Sequence, residues 1–150
     1  EAWSEKRVLS DAGRLTRALR QNGVTQKDLD TARQQTIAAL QSSITDERGR
    51  WILGEHEDAR CELSLTACDE QSLESATIDR SFVDECTHWV IDYKTELTDR
   101  GPADDGRTEH YREQLKRYGR LMRGLDTDRP IRLALYYPAT GNFEDWPYNG

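Results

Sequence analysis

Two stretches that alternate apolar and polar residues, 76–83 and 88–95, are separated only by Asp84, Glu85, Cys86 and Thr87. Period-two alternation marks a strand with one buried face, and so short an interval suits a hairpin. The two stretches should be antiparallel neighbours in one sheet. A third alternating stretch precedes them from Arg60, with Leu63, Leu65 and Ala67 set against Glu62, Ser64 and Thr66. A fourth follows, Ile131, Leu133 and Leu135 against Arg132, Ala134 and Tyr136, and the tail to Gly150 reads as irregular.

Helical spacing governs the rest. Ser10 can cap a segment bearing Leu15, Ala18 and Leu19, which Asn22-Gly23 ends in a left-handed stop. Thr25 and Asp28 have the spacing of a capping box, after which Leu29, Ala32, Thr36, Ile37, Leu40 and Ile44 recur at helical intervals. Residues 99–106 carry Gly101, Pro102 and Gly106 and read as a loop. Thr108 then caps a helix whose buried face holds Tyr111, Leu115, Tyr118, Met122 and Leu125. The order predicts an α/β fold with a mixed sheet flanked by helices, αβββαβ, behind an N-terminal helical part. The boundary falls near residue 55, giving a helical part over 1–55 and a core over 56–150.

Composition narrows the function classes. The 150 residues carry a formal charge of −7, which argues against attraction of the whole surface to nucleic acid or anionic membrane. No apolar run reaches the roughly 18 residues of a membrane span, and a soluble, intracellular protein is expected. Cys61, Cys68 and Cys86 form no C-x-x-C pair and are expected to be reduced, structural residues with the burial habit of free cysteine. Charge is nonetheless uneven: residues 107–123 hold a net +4, with Arg112, Lys116, Arg120 and Arg123 at helical spacing. Such a stripe is either a solvated helix face or a local track for phosphates.

The residue pattern that points to chemistry lies on the third strand, Val-Ile-Asp-Tyr-Lys-Thr. Asp92 and Lys94 stand two residues apart, so the pleat sends both side chains to one face beside Val90. Asp79 stands thirteen positions earlier on the preceding strand, where a hairpin brings it opposite Asp92 or nearly so. Two carboxylates this close repel unless a cation lies between them, and hard oxygen ligands suit Mg²⁺ or Mn²⁺. Metal-assisted phosphodiester hydrolysis is the matching chemistry, with Lys94 orienting water or balancing charge at phosphorus. The plain alternative is a solvated surface ion pair. Gln114 and Tyr118, at i and i+4, stack on the side of the helix that bears Tyr111.

Four segments occur together in order: Ala-Thr-Ile-Asp-Arg-Ser-Phe-Val-Asp (76–84), Trp-Val-Ile-Asp-Tyr-Lys-Thr (89–95), Tyr-Arg-Glu-Gln-Leu-Lys-Arg-Tyr (111–118) and Arg-Pro-Ile-Arg-Leu-Ala-Leu-Tyr-Tyr-Pro (129–138). They resemble the RecB-type nuclease module of the PD-(D/E)XK superfamily, the C-terminal module of UvrD/RecB-class helicase-nucleases such as the exonuclease V beta type, over roughly residues 60–146. The resemblance implies a restriction-endonuclease-like core and metal-dependent DNA exonuclease activity. It assigns Asp79, Asp92 and the backbone carbonyl of Tyr93 as ligands of Mg²⁺ or Mn²⁺, and Lys94 as the catalytic lysine. Gln114 and Tyr118 match the family's Q-x-x-x-Y helix beside the active site and DNA, where Arg112, Lys116 and Arg120 are candidate DNA contacts. Glu62 is a weaker candidate.

The family's upstream G-x-x-x-H histidine has no counterpart in residues 1–55, which contain no His. His56 is a candidate substitute. The alternative expectation is that this stretch starts after the true histidine and holds an incomplete metal site. Three cysteines do not match the four-cysteine iron-sulfur staple of some relatives, so no cluster is expected. The implied partners are DNA, a superfamily 1 helicase motor in the same chain and a second helicase-nuclease subunit, with no membrane and a cytoplasmic location. A nuclease-fold module that binds DNA or docks a subunit without cutting is the second reading. A regulatory α/β domain is the third.

Overall fold

The computed structural model describes residues 12–68, 73–95 and 107–150. Ser10, the 99–106 loop and the Thr108 side chain lie outside the described residues. The chain divides into two compact units, one holding the N-terminal helices with residues 137–141, the other holding the sheet and the long helix.

In the first unit, α1 (Ala12–Gln21) ends where Gly23 takes φ 84°. Val24 N–H reaches back to the Leu19 carbonyl at 3.0 Å, which closes the helix as a left-handed residue allows. Helix α2 (Leu29–Thr45) starts without the expected capping box. The Thr25 hydroxyl donates instead to Asp28 Oδ2 at 2.6 Å, so the Asp28 carboxylate is occupied by a side chain and caps no backbone amide. Helix α3 (Glu47–Leu53) was not foreseen. Its seven residues are too few to show a period, and its one clear signal is Asp46, whose carboxylate accepts from Gly49 N–H at 2.7 Å.

In the second unit, five strands run in the order β1 (Glu57–Cys68), β2 (Leu73–Asp84), β3 (Thr87–Tyr93), β4 (Ile131–Tyr137) and β5 (Asn142–Pro147). The first three are antiparallel neighbours, and β3 and β4 run parallel, joined through α4 (Arg107–Leu125). This is the α/β class with a mixed sheet. The β2–β3 turn is tighter than expected, because Asp84 pairs with Thr87 and leaves only Glu85 and Cys86 between the strands. Both take left-handed φ, 45° and 61°, the conformation that a two-residue hairpin turn requires. Strand β5 replaces the expected irregular tail and is pinned to β4 by an Arg132–Asp145 ion pair.

The core lies along the middle strands. Ile78, Phe82, Val90, Ile91, Leu133 and Leu135 are fully buried, as are Leu115 and Met122 of α4. Four expectations of burial need correction. Leu125 is 64% exposed because it stands at the last position of α4. Ala67 is exposed, since β1 is an edge strand and is largely open to solvent. The strand is also irregular there, with left-handed φ at Asp58 and Glu62 and a register shift between Glu57 and Arg60. All three cysteines are exposed, Cys61 and Cys68 on that edge strand and Cys86 in the turn. Tyr111 is half-buried.

Candidate active site

Strand register sets the site. Arg80 pairs with Ile91 and Ser81 with Val90, so the next position along the ladder places Asp79 across from Asp92 on one face. Asp92 is 3% exposed, while Asp79 is half-buried. The backbone helps to fix the pair, because Tyr93 N–H donates to Asp79 Oδ2 at 2.8 Å.

Lys94 completes the cluster from the end of the same strand. Its Nζ lies 2.6 Å from Asp92 Oδ2 and donates to Gln114 Oε1 at 3.1 Å. Gln114 Nε2 in turn donates to Tyr118 Oη at 2.6 Å. Helical spacing puts Gln114 and Tyr118 one turn apart on the side of α4 that faces the sheet, which is why a single helix supplies both links. The aromatic ring of Tyr111 closes the cluster, with Lys94 Nζ 4.0 Å from its centroid, inside cation–π range. Sequence reasoning placed Tyr111 in the core alone. Its position one turn before Gln114 was the available signal.

The electrostatics are unequal. Burial pushes the Asp92 carboxyl above its usual range, the Lys94 hydrogen bond and charge pull it back, and the charge of Asp79 pushes it further up. Burial likewise raises the Tyr118 phenol, opposed by the Gln114 hydrogen bond and reinforced by the charges of Asp92 and Asp79. Tyr118 thus feels both carboxylates. Tyr93 supplies its backbone here, while burial pushes its phenol up to about 12.

As a cation site the donors are few but of the right kind. Asp79 Oδ2 and Asp92 Oδ2 are engaged by Tyr93 N–H and Lys94, and Oδ1 of each carboxylate makes no hydrogen bond among the described residues. No group of three His, Cys, Asp or Glu side chains that could hold a metal occurs among the described residues. Two carboxylates and a carbonyl match the way Mg²⁺ is commonly held, with water and substrate phosphate completing its shell.

The weaker candidates lie elsewhere. His56 stacks on Phe82, centroids 4.0 Å apart, and Phe82 points to the sheet face opposite Asp79. The structure therefore does not bring it together with Asp79 and Asp92. Glu62 is exposed, on the irregular part of β1 where its φ is 52°.

The basic stripe of α4 is exposed, but much of its charge is engaged. Arg120 makes a bidentate pair with Glu74 of β2, with contacts of 2.6 and 2.8 Å. Lys116 pairs with Glu113 one turn away, and the Arg112 guanidinium stands 5.6 Å from the centre of the Trp146 ring.

Neither the models of known protein families nor the curated proteins contain a match to the chain. Solved structures do. An Eubacterium rectale protein described as a "putative exonuclease" aligns over 98% of this chain with a TM-score of 0.54 and 16% identity. The chain shares that fold and spans 60% of that protein's length. The structure of SSO0001 aligns over 95% of this chain and 78% of its own, with a TM-score of 0.45 and 14% identity. No helix among the described residues is long and apolar enough to cross a membrane.

Proposed function

We propose that this chain is a metal-dependent DNA nuclease domain of exonuclease type, normally joined to an ATP-dependent superfamily 1 helicase that processes DNA ends in recombination and repair. The observation that carries the reading is the placement of Asp79 across from Asp92, with Lys94 held beside them by Gln114 and Tyr118. The description of the Eubacterium rectale protein as an exonuclease supports the same reading.

In this reading Asp79, Asp92 and the Tyr93 carbonyl hold Mg²⁺ or Mn²⁺, which when bound polarises the scissile phosphate. Lys94 points its ammonium at the phosphate or the attacking water. Asp92, Gln114 and the Tyr111 ring limit the positions that ammonium can take, so its charge is oriented before substrate arrives. Arg112, Lys116 and Arg120 contact the DNA backbone, the last after exchanging Glu74 for phosphate. The proposed location is the cytoplasm, with DNA and a second helicase-nuclease subunit as partners and no iron-sulfur cluster.

The test is degradation of end-labelled linear DNA in Mn²⁺ by the helicase-linked protein, beside Asp92→Ala and Lys94→Ala. Cleavage should fall by about a thousandfold in either variant, the scale of losing a principal catalytic group. Unchanged cleavage in both would overturn the assignment. The lack of a third acidic or histidine ligand among the described residues favours one second reading, a nuclease-fold module that binds DNA or docks a subunit without cutting. DNA binding that survives saturating EDTA, with no cleavage in Mn²⁺, would select it.

A further inference from the structure

Charge in the N-terminal helices is distributed unlike that of the rest of the chain. Residues 12–27, which comprise α1 and most of the link to α2, hold Arg14, Arg17, Arg20 and Lys27 and no Asp or Glu. Over both helices and their link, residues 12–45, five basic side chains stand against two acidic ones, a net +3 in a chain of −7. Both acids are taken locally. Asp28 accepts from the Thr25 hydroxyl at 2.6 Å, and Asp30 pairs with Arg33 at 3.3 Å. Arg14, Arg17, Arg20 and Lys27 are all exposed. Arg20 donates to the neutral Gln26 side chain at 3.2 Å, while Arg17 and Lys27 make no ion pair or hydrogen bond among the described residues.

Helical geometry gathers the arginines. Steps of three residues set Arg14, Arg17 and Arg20 roughly 4.5 Å apart along the axis of α1 and within about 120° around it. Like charges so close repel along a helix, and a polyanion laid over them relieves that repulsion. The basic stripe of α4 differs, because Glu74 and Glu113 already hold Arg120 and Lys116. The apolar side of α1 then selects among polyanions. Leu15 and Leu19, its two large apolar side chains, are half-buried, and α1 packs on α2. A helix that lies in a membrane surface inserts exposed apolar side chains, and α1 has no large one exposed.

We propose that the exposed face of α1 is a sequence-independent contact for the DNA backbone, with Arg14, Arg17 and Arg20 each on a phosphate. Guanidinium groups pair with phosphate oxygens through strong, charge-assisted hydrogen bonds, and such contacts hold a nucleic acid without reading its bases. That the polyanion is DNA rests on the nuclease reading. That α1 takes a chain of phosphates rests on its own charge, exposure and lack of acidic neighbours in sequence.

The test is binding of a fluorescent DNA duplex of about 20 base pairs to the whole chain in EDTA, followed by anisotropy across a salt series. EDTA withholds the metal, so binding is read apart from cleavage, and a failure to cut in Mn²⁺ would count against the nuclease reading alone. Arg14→Gln/Arg17→Gln/Arg20→Gln should raise Kd at least about tenfold at about 0.1 M salt and flatten the slope of log Kd against log salt by about 2 to 3. Arg14→Lys/Arg17→Lys/Arg20→Lys keeps the charge and should stay within about threefold of the parent chain. An unaltered Kd and slope in the Gln variant would overturn the proposal. Equal weakening in the Lys variant would overturn it too, by tracing the loss to the helix rather than to its charge. So would binding of the parent chain to phosphatidylserine vesicles but not to DNA.

Discussion

At the C-terminal end of β3, burial pushes the Asp92 carboxyl above its usual range despite an ammonium at 2.6 Å. At the N-terminal end, His88 holds Asp126, whose carboxyl is driven far below that range, chiefly by the imidazole hydrogen bond. Both carboxylates serve the same strand and face, and they differ in what surrounds the charge. Asp126 also accepts from Arg129 N–H at 3.2 Å, Asp128 N–H at 3.4 Å and the Arg129 guanidinium at 3.2 Å, so its charge organises the turn after α4. Asp92 is under-supplied with partners. A carboxylate whose ionised form is favoured adds to stability, whereas one whose ionised form is penalised costs stability when it carries its charge.

The largest expected effect follows at once. Asp126→Ala removes one partner of a buried pair and the organiser of the 126–129 turn, and should lower the unfolding free energy by about 3 kcal/mol in urea denaturation. Asp92→Asn should change it by less than about 1 kcal/mol, because the lost attraction to Lys94 is offset by the relieved cost of burying a charge. Equal losses in the two variants would break the comparison.

Acid and base then separate the two ends by sign. Asp126 has a depressed folded-state pKa, so its contribution is present above the ordinary carboxylate value of 3.8 and is lost as pH falls below it. Asp92 has a raised one, so the folded state binds the extra proton and stability declines as pH rises from 3.8. The stability profile of Asp126→Asn should lose its acid limb, and that of Asp92→Asn should lose the decline above it. A decline that persists in Asp92→Asn would assign it to another group.

How much of this was legible in the sequence depends on the separation of the partners. Asp79, Asp92 and Lys94 lie within one hairpin, where register alone brings them together, so alternation and a short turn were enough to propose the cluster. Gln114 and Tyr118 were legible as a helical pair, but the hydrogen bond that Gln114 accepts from Lys94 depends on how α4 crosses the sheet, which no local pattern encodes. His88 shares its face with Val90 and Asp92 by simple alternation and still gave no signal. Its partner Asp126 stands 38 positions on, beyond helix α4. Strand β5 and helix α3 were missed for a related reason: each is six or seven residues long and owes its form to partners or a cap rather than to its own period.

The smallest effect concerns the turn that leads into the His88 end. Glu85 and Cys86 both hold left-handed φ although neither is glycine, a conformation that costs a residue with a Cβ about 1 kcal/mol. That cost persists because Val83 pairs with His88 and Asp84 with Thr87, and because His88 is anchored in turn by Asp126 and by its own N–H to the Pro130 carbonyl at 2.8 Å. Cys86→Gly should relieve part of the strain and raise the unfolding free energy by about 0.5 kcal/mol, the remainder going to the greater freedom of glycine in the unfolded chain. In the Asp126→Ala background the same substitution should stabilise less, because a loosened His88 end no longer holds the turn to its strained φ. An equal gain in both backgrounds would show that the turn is set by the two strands alone, and that the Asp126 cluster governs only the segment after α4.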